Sequence, residues 1–334
     1  MRAVPVVLLG VVAALVAPGA SGAAGRVVGA HLVAFRMPVA LALLVLGIVA
    51  LAVPRVRRSR GGAVSAAVLL AGAAAQVGVL GARGWDGDLT AARADGDVVV
   101  LSFNTLGVVT SEDLAPLVLE HGADVVVLPE TLPATARATA ALLEDAGRPV
   151  WVFARSTGGG APVASTALLV ATDLGRYEVT APLPTVLGGF RAGPVGVDAA
   201  PARGARAATA GPSPLLVAAH PTAPFSLAAM DDWRRETSLV AQTCDGSPGV
   251  VVAGDLNATL DHPGLRDLGS CVDAAEAAGA AALGTWPAGM PSWLSTPIDH
   301  VLVDPEVWDV VGFDVLPAVG GSDHRPVVAH LRPR

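Results

Sequence analysis

The chain has 334 residues, a formal net charge of −7 and a mean hydropathy of +0.57. All 22 of its basic residues are arginines. An acidic chain without lysine is a poor candidate for a protein that tracks a long nucleic-acid backbone, because such binding depends on many cationic contacts to phosphate. The mean hydropathy is also too high for an ordinary soluble protein. Acidic residues are absent from positions 1–84, and we predict a membrane region there.

Three apolar runs lie in this region, near 4–20, 37–54 and 62–83. The first fits either a membrane helix or a signal peptide, since small residues that suit a cleavage site follow it. The second is about long enough to cross a bilayer. Four arginines lie at 55–60, and the positive-inside rule places that loop in the cytoplasm. We therefore expect about three transmembrane helices and an extracytoplasmic location for the residues after Trp85.

After a polar linker at 85–96, strand-like and helix-like patterns alternate irregularly, which predicts an α/β domain of mixed sheets over 97–334. Positions 181–214 give no clear element. The predicted strands lie near 98–102, 124–128, 150–154, 166–170, 176–180, 215–219, 250–253, 298–303, 310–316 and 326–331. The predicted helices lie near 110–121, 134–146, 226–242, 263–268 and 272–278.

The sequence GVVVAGDLNATLDHPG at 249–264 places two polar residues directly after a buried strand. We expect Gly254 to end that strand, so that Asp255 and Asn257 project from its carboxyl end on the same side. Ligands of open α/β sheets bind at such strand ends. Asn257 and Asn104 are the only asparagines of the chain, and both follow apolar runs. Strand termination is the alternative role for Asp and Asn at this position.

Polar residues recur at five further predicted strand ends. They are Asn104 in LSFN, Glu130 in LPE, His220 in HPTAP, Asp299 in IDH, and Asp323 and His324 in GSDHRP. Carboxylates, amides and imidazoles without cysteine suit Mg²⁺ or Mn²⁺ better than Zn²⁺. The ends of several strands can meet at one edge of a sheet structure, so these residues predict one metal-dependent site.

These motifs, in this order, resemble the endonuclease/exonuclease/phosphatase superfamily of DNase I-like, metal-dependent phosphoesterases. The resemblance covers 97–334 and implies a four-layer α/β sandwich, here preceded by about three transmembrane helices as in a membrane-anchored bacterial branch. It implies a hydrolase that cleaves phosphodiester bonds with Mg²⁺ or Mn²⁺. Glu130 matches the main metal ligand, with Asn104 beside it, and Asp323 matches a further ligand or the neighbour of one.

The same resemblance implies catalytic roles for five residues. Asp255 and Asn257 match residues that orient the attacking water and the scissile phosphate. His220 matches a histidine that binds phosphate oxygens or assists the leaving group. Asp299 matches the carboxylate that pairs with His324. Asp255 and His324 are both candidates for the general base at this stage.

The substrate is less determined than the chemistry. Leu106 stands where many nucleases of the superfamily carry an acid, and basic and aromatic groups that grip DNA are not evident. A nucleic acid, a phospholipid or sphingolipid, and a phosphorylated small molecule are the candidate substrates. A non-catalytic ligand-binding domain is the alternative from another class, and the sequence does not predict an oligomeric state.

Several other residues have structural interpretations. Cys244 and Cys271 are expected to form a disulfide, given the extracytoplasmic location. His300 should point away from Asp299 and be structural, and His262 is expected at the surface or in packing. Trp286 and Trp293 either line the substrate cleft or anchor packing.

Overall fold

The computed structural model describes residues 3–158, 160–195 and 213–334. Within these ranges the chain forms a group of N-terminal helices followed by two six-stranded sheets. Arg2 and much of the unassigned 181–214 segment lie outside the described residues. The helices are α1 Ala3–Val16, α2 Pro18–Ser21, α3 Val27–Ala34, α4 Arg36–Ala52, α5 Pro54–Arg57, α6 Arg60–Arg83, α7 Ser111–His121, α8 Pro133–Asp145, α9 Met230–Gln242 and α10 Ala274–Ala277.

Among the described helices, α6 alone is long and apolar enough by itself to cross a membrane, with 24 residues. Helices α3 and α4 reach that length only as a pair, and they bend by 89°. The bend falls at Phe35, three residues before Pro38, which has no N–H to bond the Ala34 carbonyl. The run at 4–20 forms the shorter α1 and α2. Three transmembrane helices thus stay a prediction, with one or two candidate spans in the structure.

The strands form two mixed sheets, in agreement with the predicted α/β class. They are β1 Val98–Ser102, β2 Val125–Pro129, β3 Val150–Ser156, β4 Ser165–Ala171, β5 Tyr177–Pro182, β6 Gly189–Pro194, β7 Leu216–Ala219, β8 Val251–Asp255, β9 Val272–Asp273, β10 Asp299–Val303, β11 Trp308–Val315 and β12 Val327–Pro333. The first sheet has the order β11-β12-β1-β2-β4-β3 and the second β5-β6-β7-β8-β10-β9. The pairs β1–β2 and β7–β8 are parallel, and the other pairs are antiparallel.

The two sheets face each other across the main core, with helices on their outer faces. Alternate residues of β1 and β2, such as Val100 and Val127, share a buried cluster with Ala253 of β8 and Val301 of β10. The opposite face of the first sheet packs against α7 and α8. The opposite face of the second sheet packs against α9, through Trp233. Because both faces of the central strands are buried, these strands read as continuous apolar runs such as VVVL.

The structure corrects the prediction that Gly254 ends the central strand, because β8 continues through it to Asp255. Gly254 has φ of 152°, and a Cβ atom at this position would lie 1.8 Å from the Ala219 carbonyl oxygen of β7. The glycine therefore permits close approach of two parallel strands rather than a turn.

Three further local predictions were wrong. The 263–268 segment forms turns rather than a helix. The 272–278 segment begins with the short strand β9 before the one-turn helix α10, and the helix predicted from 226 begins at Met230. The predicted disulfide between Cys244 and Cys271 is confirmed, with Cα atoms 5.6 Å apart.

Candidate active site

All eight residues predicted for the site lie around one cavity or directly beneath it. Asn104, Glu130 and His220 each follow a strand, in agreement with their position in the sequence. Asp255 and Asp299 lie opposite each other in the antiparallel pairing of β8 and β10. The strand ends of both sheets therefore meet at this cavity, as the sequence predicts.

Asn104 joins the two sheets at the floor of the site. Its Nδ2 donates to Glu130 Oε1 at 3.1 Å and to Asp255 Oδ2 at 3.0 Å. Its Oδ1 accepts a hydrogen bond from the Leu106 amide at 2.9 Å, and its carbonyl accepts one from the Ser322 hydroxyl at 2.7 Å. The fully buried amide thus brings two carboxylates together without adding charge.

Asp255 and Asn257 face the cavity through a turn rather than through strand alternation. Asp255 Oδ1 accepts a hydrogen bond from the Asn257 amide at 2.9 Å. Asn257 has φ of 50°, a left-handed conformation that asparagine tolerates better than most residues. Its Nδ2 donates to the Pro221 carbonyl at 3.0 Å, and its own carbonyl accepts from Trp233 Nε1 at 2.9 Å. The turn is therefore fixed from two sides.

His324 and Asp299 form a buried pair. The His324 Nδ1 and Asp299 Oδ2 atoms are 2.8 Å apart, and His324 Nε2 lies 3.6 Å from Asp255 Oδ2. Burial alone would lower the pKa of His324, but the carboxylates of Asp299 and Asp255 outweigh it and raise the pKa to about 10. His324 is thus an imidazolium that faces Asp255 at neutral pH.

His220 is completely buried, and neither of its ring nitrogens has a hydrogen-bond partner among the described residues. Its Nε2 lies 3.8 Å from Glu130 Oε1 and 3.9 Å from Asp255 Oδ2. Burial lowers its pKa to about 4, so the ring is neutral at pH 7. A buried imidazole with both nitrogens unpartnered is costly unless a ligand bonds to it.

The site carries excess negative charge, which fits a divalent cation. Burial raises the pKa of Glu130 and of Asp255. Asp323 Oδ1 is buried without a hydrogen-bond partner among the described residues, and so is Asp299 Oδ1. Oxygen donors in a carboxylate-rich pocket suit Mg²⁺ or Mn²⁺.

The structure assembles a second possible ligand group. Single ligand atoms of Asp255, Asp299 and His324 lie within 4.8 Å of one another. His324 Nδ1 is already paired with Asp299, so Nε2 is the ring nitrogen of this histidine that could bind a cation. Asn104 directs its amide nitrogen toward the carboxylates, so metal ligation by its oxygen requires the amide to rotate.

The cavity has a volume of about 350 Å³, and part of its lining was not foreseen from the sequence. Phe35 and Phe225 contribute aromatic side chains, and Leu106 also lines the cavity. Trp286 also lines it and donates from Nε1 to Asp323 Oδ2 at 2.9 Å. The sequence indicated Trp286 as a candidate for the cleft, whereas no local pattern pointed to Phe35 or Phe225.

Two other histidines have the structural roles that the sequence favours. His300 Nδ1 lies 2.7 Å from Asp273 Oδ2, and its Nε2 lies 2.9 Å from the Ala258 carbonyl, on the side of β10 away from Asp299. His262 is buried with its ring edge-on to Trp233, and it also borders the cavity. Trp293 is not among the residues that line this cavity.

The fold is a DNase I-like α/β sandwich. Two mixed sheets pack face to face with helices outside, and Asn, Glu, Asp and His residues meet at the strand ends. The sequence model of the endonuclease/exonuclease/phosphatase family matches residues 101–324, and the chain belongs to this family. Members of the family are phosphoesterase hydrolases, which confirms the predicted enzyme class at that level. Among curated proteins, none matches the chain in sequence.

Several solved structures show the same fold. An endonuclease/exonuclease/phosphatase from Beutenbergia cavernae is 19% identical, with a TM-score of 0.53 over 71% of this chain and 72% of that one. D. rerio TDP2, solved with a single strand DNA product, is 16% identical, with a TM-score of 0.53 over 71% and 100%. A mannosyl-6-phosphatase from Bacteroides thetaiotaomicron is 15% identical, with a TM-score of 0.50 over 70% and 99%. At these identities the likeness concerns the fold alone.

Proposed function

We propose that the protein is a membrane-anchored, extracytoplasmic phosphoesterase that hydrolyses phosphodiester bonds with Mg²⁺ or Mn²⁺. The observation that carries this proposal is the convergence of a buried Asn104–Glu130–Asp255 network, the Asp299–His324 pair and the unpartnered His220 at one cavity. Such a site offers a place for a cation, a proton acceptor and donors to phosphate oxygens in one volume.

Glu130 is the principal metal ligand in this proposal, with Asp323 and the amide oxygen of Asn104 as further candidates. A bound Mg²⁺ would neutralise the buried carboxylates and polarise a phosphoryl oxygen. The acidic side chains that hold it are already fixed, since Asn104 bonds Glu130 and Trp286 bonds Asp323. Rotation of the Asn104 amide would replace its bond to Glu130 by ligation of the cation that both residues hold, whereas the bond between Trp286 and Asp323 would be kept.

Asp255 is the proposed proton acceptor for the attacking water. Its Oδ1 accepts a hydrogen bond from the backbone amide of Asn257, and its Oδ2 lies 3.6 Å from His324 Nε2. His324 is protonated and held by Asp299, so it suits donation of a hydrogen bond to the phosphate rather than proton abstraction. The neutral ring of His220 is a second donor to a phosphate oxygen.

Three features support a membrane-anchored, extracytoplasmic enzyme. Helix α6 and the bent pair α3–α4 are candidate spans. The arginines of 55–60 lie at one end of α4 and α6, whereas Arg36 and Arg83, at the other end of these two helices, contact the catalytic domain through Asp261. The Cys244–Cys271 disulfide is typical of an oxidising compartment.

The test is turnover of bis-p-nitrophenyl phosphate by the full chain in detergent, with Mg²⁺ and then with chelator. Wild type is compared with Asp255→Asn and His324→Ala, and with Asp232→Asn on the exposed face of α9 as a control. We expect chelator to abolish turnover, and each site variant to lower it by at least about 100-fold. Turnover that survives chelator or both site variants would refute the proposal.

A further inference from the structure

One wall of the catalytic cavity is built by the N-terminal helices rather than by the catalytic domain. Ala30, His31 and Ala34 of α3, with Phe35 at the α3–α4 bend, line the same cavity as the site carboxylates. The Phe35 ring lies 5.9 Å from that of Trp286. The part of the chain that carries the candidate membrane spans therefore takes part in shaping the active site.

Several polar contacts fix this wall to the catalytic domain. His262 Nε2 lies 3.0 Å from the Ala30 carbonyl, and Arg234 donates to the Gly25 carbonyl. Directly after the bend, Arg36 forms a two-point ion pair with Asp261, at 2.6 and 2.5 Å. These contacts hold helix α3 in a fixed position beside the site.

The cavity is polar at its floor and apolar along its walls. Besides the residues of α3, the apolar lining includes Val163, Leu187, Pro224 and Phe225. Phe225 is 73% exposed, and Leu227 beside it is 85% exposed. Large apolar side chains held open next to a catalytic cavity indicate a ligand with an apolar part.

The outer face of α3 is also apolar and uncovered. Val28 is 71% exposed and Leu32 is 40% exposed. Beyond the 89° bend, Val45 and Leu46 of α4 are also exposed. Exposed apolar side chains next to the candidate spans suit contact with lipid. The cavity mouth would then open beside the lipid.

No arginine is among the residues that line this cavity within the described part of the chain. The chain as a whole has no lysine. A nucleic-acid strand requires several cations along its phosphates. A single phosphate at the floor requires only the metal and the two histidines, so the charge pattern favours one phosphate attached to an apolar chain.

Building on the proposed phosphoesterase function, we propose that the substrate is a membrane amphiphile, a phosphate ester with a long alkyl chain. Its phosphate would lie on the floor between His220 and His324. Its chain would run along the wall between Phe35 and Phe225 and leave the cavity toward the bilayer. Helix α3 then selects the substrate and guides it from the membrane to the carboxylates.

The experiment uses the full chain in phosphatidylcholine nanodiscs with Mg²⁺. The probes are p-nitrophenyl methyl, octyl and dodecyl phosphates, which share the scissile bond and differ only in the chain. Each buried methylene contributes at most about fourfold, the equivalent of about 0.8 kcal/mol. Since part of the alkyl chain of the probe stays in lipid, we expect kcat/KM to rise by at least about 30-fold from the methyl to the dodecyl ester.

Two variants separate binding in the cavity from simple partitioning into the nanodisc. Phe225→Ser and Phe35→Ser should each reduce the dodecyl-to-methyl ratio of kcat/KM by about fivefold or more. Leu142→Ser, on the outer surface of α8, should leave both the ratio and the activity unchanged. Phe225 is largely exposed, so its replacement tests the cavity without endangering the fold.

The outcomes distinguish this inference from the function on which it rests. Equal kcat/KM for all three esters, with turnover retained, would overturn the amphiphile inference and leave the phosphoesterase in place. Faster hydrolysis of thymidine 5′-monophosphate p-nitrophenyl ester than of the dodecyl ester would indicate a nucleic-acid substrate instead. A chain-length effect that both phenylalanine variants retain would also overturn it. Absence of turnover on every probe would refute the phosphoesterase and this inference together.

Discussion

Replacement of Asp261 by Asn is expected to loosen α3 from the catalytic domain. Asp261 pairs with both Arg36 and Arg83, at 2.5 and 2.8 Å. Arg36 is only 3% exposed, and in Asp261→Asn it would keep its bond to Gln76 and at most one bond to the neutral amide oxygen, with no opposite charge. Removal of one partner from a buried ion pair costs about 3–5 kcal/mol, because a buried charge is left uncompensated.

We expect the lower end of this range, because the more exposed Arg83 can turn toward solvent whereas Arg36 cannot. A loss of about 3 kcal/mol corresponds to roughly a 100-fold rise in the equilibrium constant for local opening. Hydrogen exchange of the backbone amides reports such openings segment by segment. The amides of α3 should therefore exchange about 100-fold faster in Asp261→Asn than in wild type.

The matched control is Asp232→Asn, which breaks the exposed pair with Arg235 on α9. Exposed pairs contribute little, so exchange in α9 should change by less than about fivefold. Amides of α8, which lies on the other sheet, should be unaffected in both variants. Equal exchange of α3 in wild type and Asp261→Asn would refute the view that this ion pair fixes the wall of the cavity.

Three further predictions concern stability and catalysis. Burial lowers the pKa of His262 from 6.5 to about 4. The contribution of its neutral ring to the free energy of unfolding is therefore complete above pH 6.5 and is lost as the pH falls toward 4. Between pH 6.5 and 4, the free energy of unfolding measured with denaturant should fall by up to about 3 kcal/mol more in wild type than in His262→Gln. The same pH dependence of the free energy of unfolding in both proteins would contradict this. Gly254→Ala should destabilise the protein by more than about 3 kcal/mol, because its Cβ meets the Ala219 carbonyl, and an unchanged thermal midpoint would contradict this account. Asp299→Asn should lower Mg²⁺-dependent turnover by about 100-fold or more, and its His324 should titrate below wild-type His324 in NMR. A His324 pKa equal to that of wild type would exclude Asp299 as the cause of the shift.

The strands and the site residues could largely be predicted from the sequence because both depend on local patterns. Buried strands read as apolar runs, and each polar residue of the site directly follows or precedes such a run. Strand β6 was missed because Gly189–Pro194 contains no β-branched residue. The short helix at 263–268 was predicted from composition, but Gly264 packs closely against Thr237 of α9 and the segment follows that surface.

The wall of the cavity could not be predicted in the same way. Ala30 and Phe35 contact residues more than two hundred positions further along the chain, His262 and Trp286. An apolar run that packs against a distant domain has the same local composition as one that faces lipid. Similarly, the close approach of β7 and β8 explains Gly254, and the sequence gives no sign of which strand will lie beside it.

The central claim is that Glu130 holds a catalytic divalent cation. The most direct test is the Mg²⁺ concentration at which turnover of bis-p-nitrophenyl phosphate is half-maximal. Wild type is compared with Glu130→Gln and with Glu178→Gln, which changes an exposed carboxylate of β5. We expect Glu130→Gln to raise this concentration by at least about tenfold, and Glu178→Gln to leave it unchanged. Turnover without any divalent cation, or the same half-saturation in wild type and Glu130→Gln, would contradict the account.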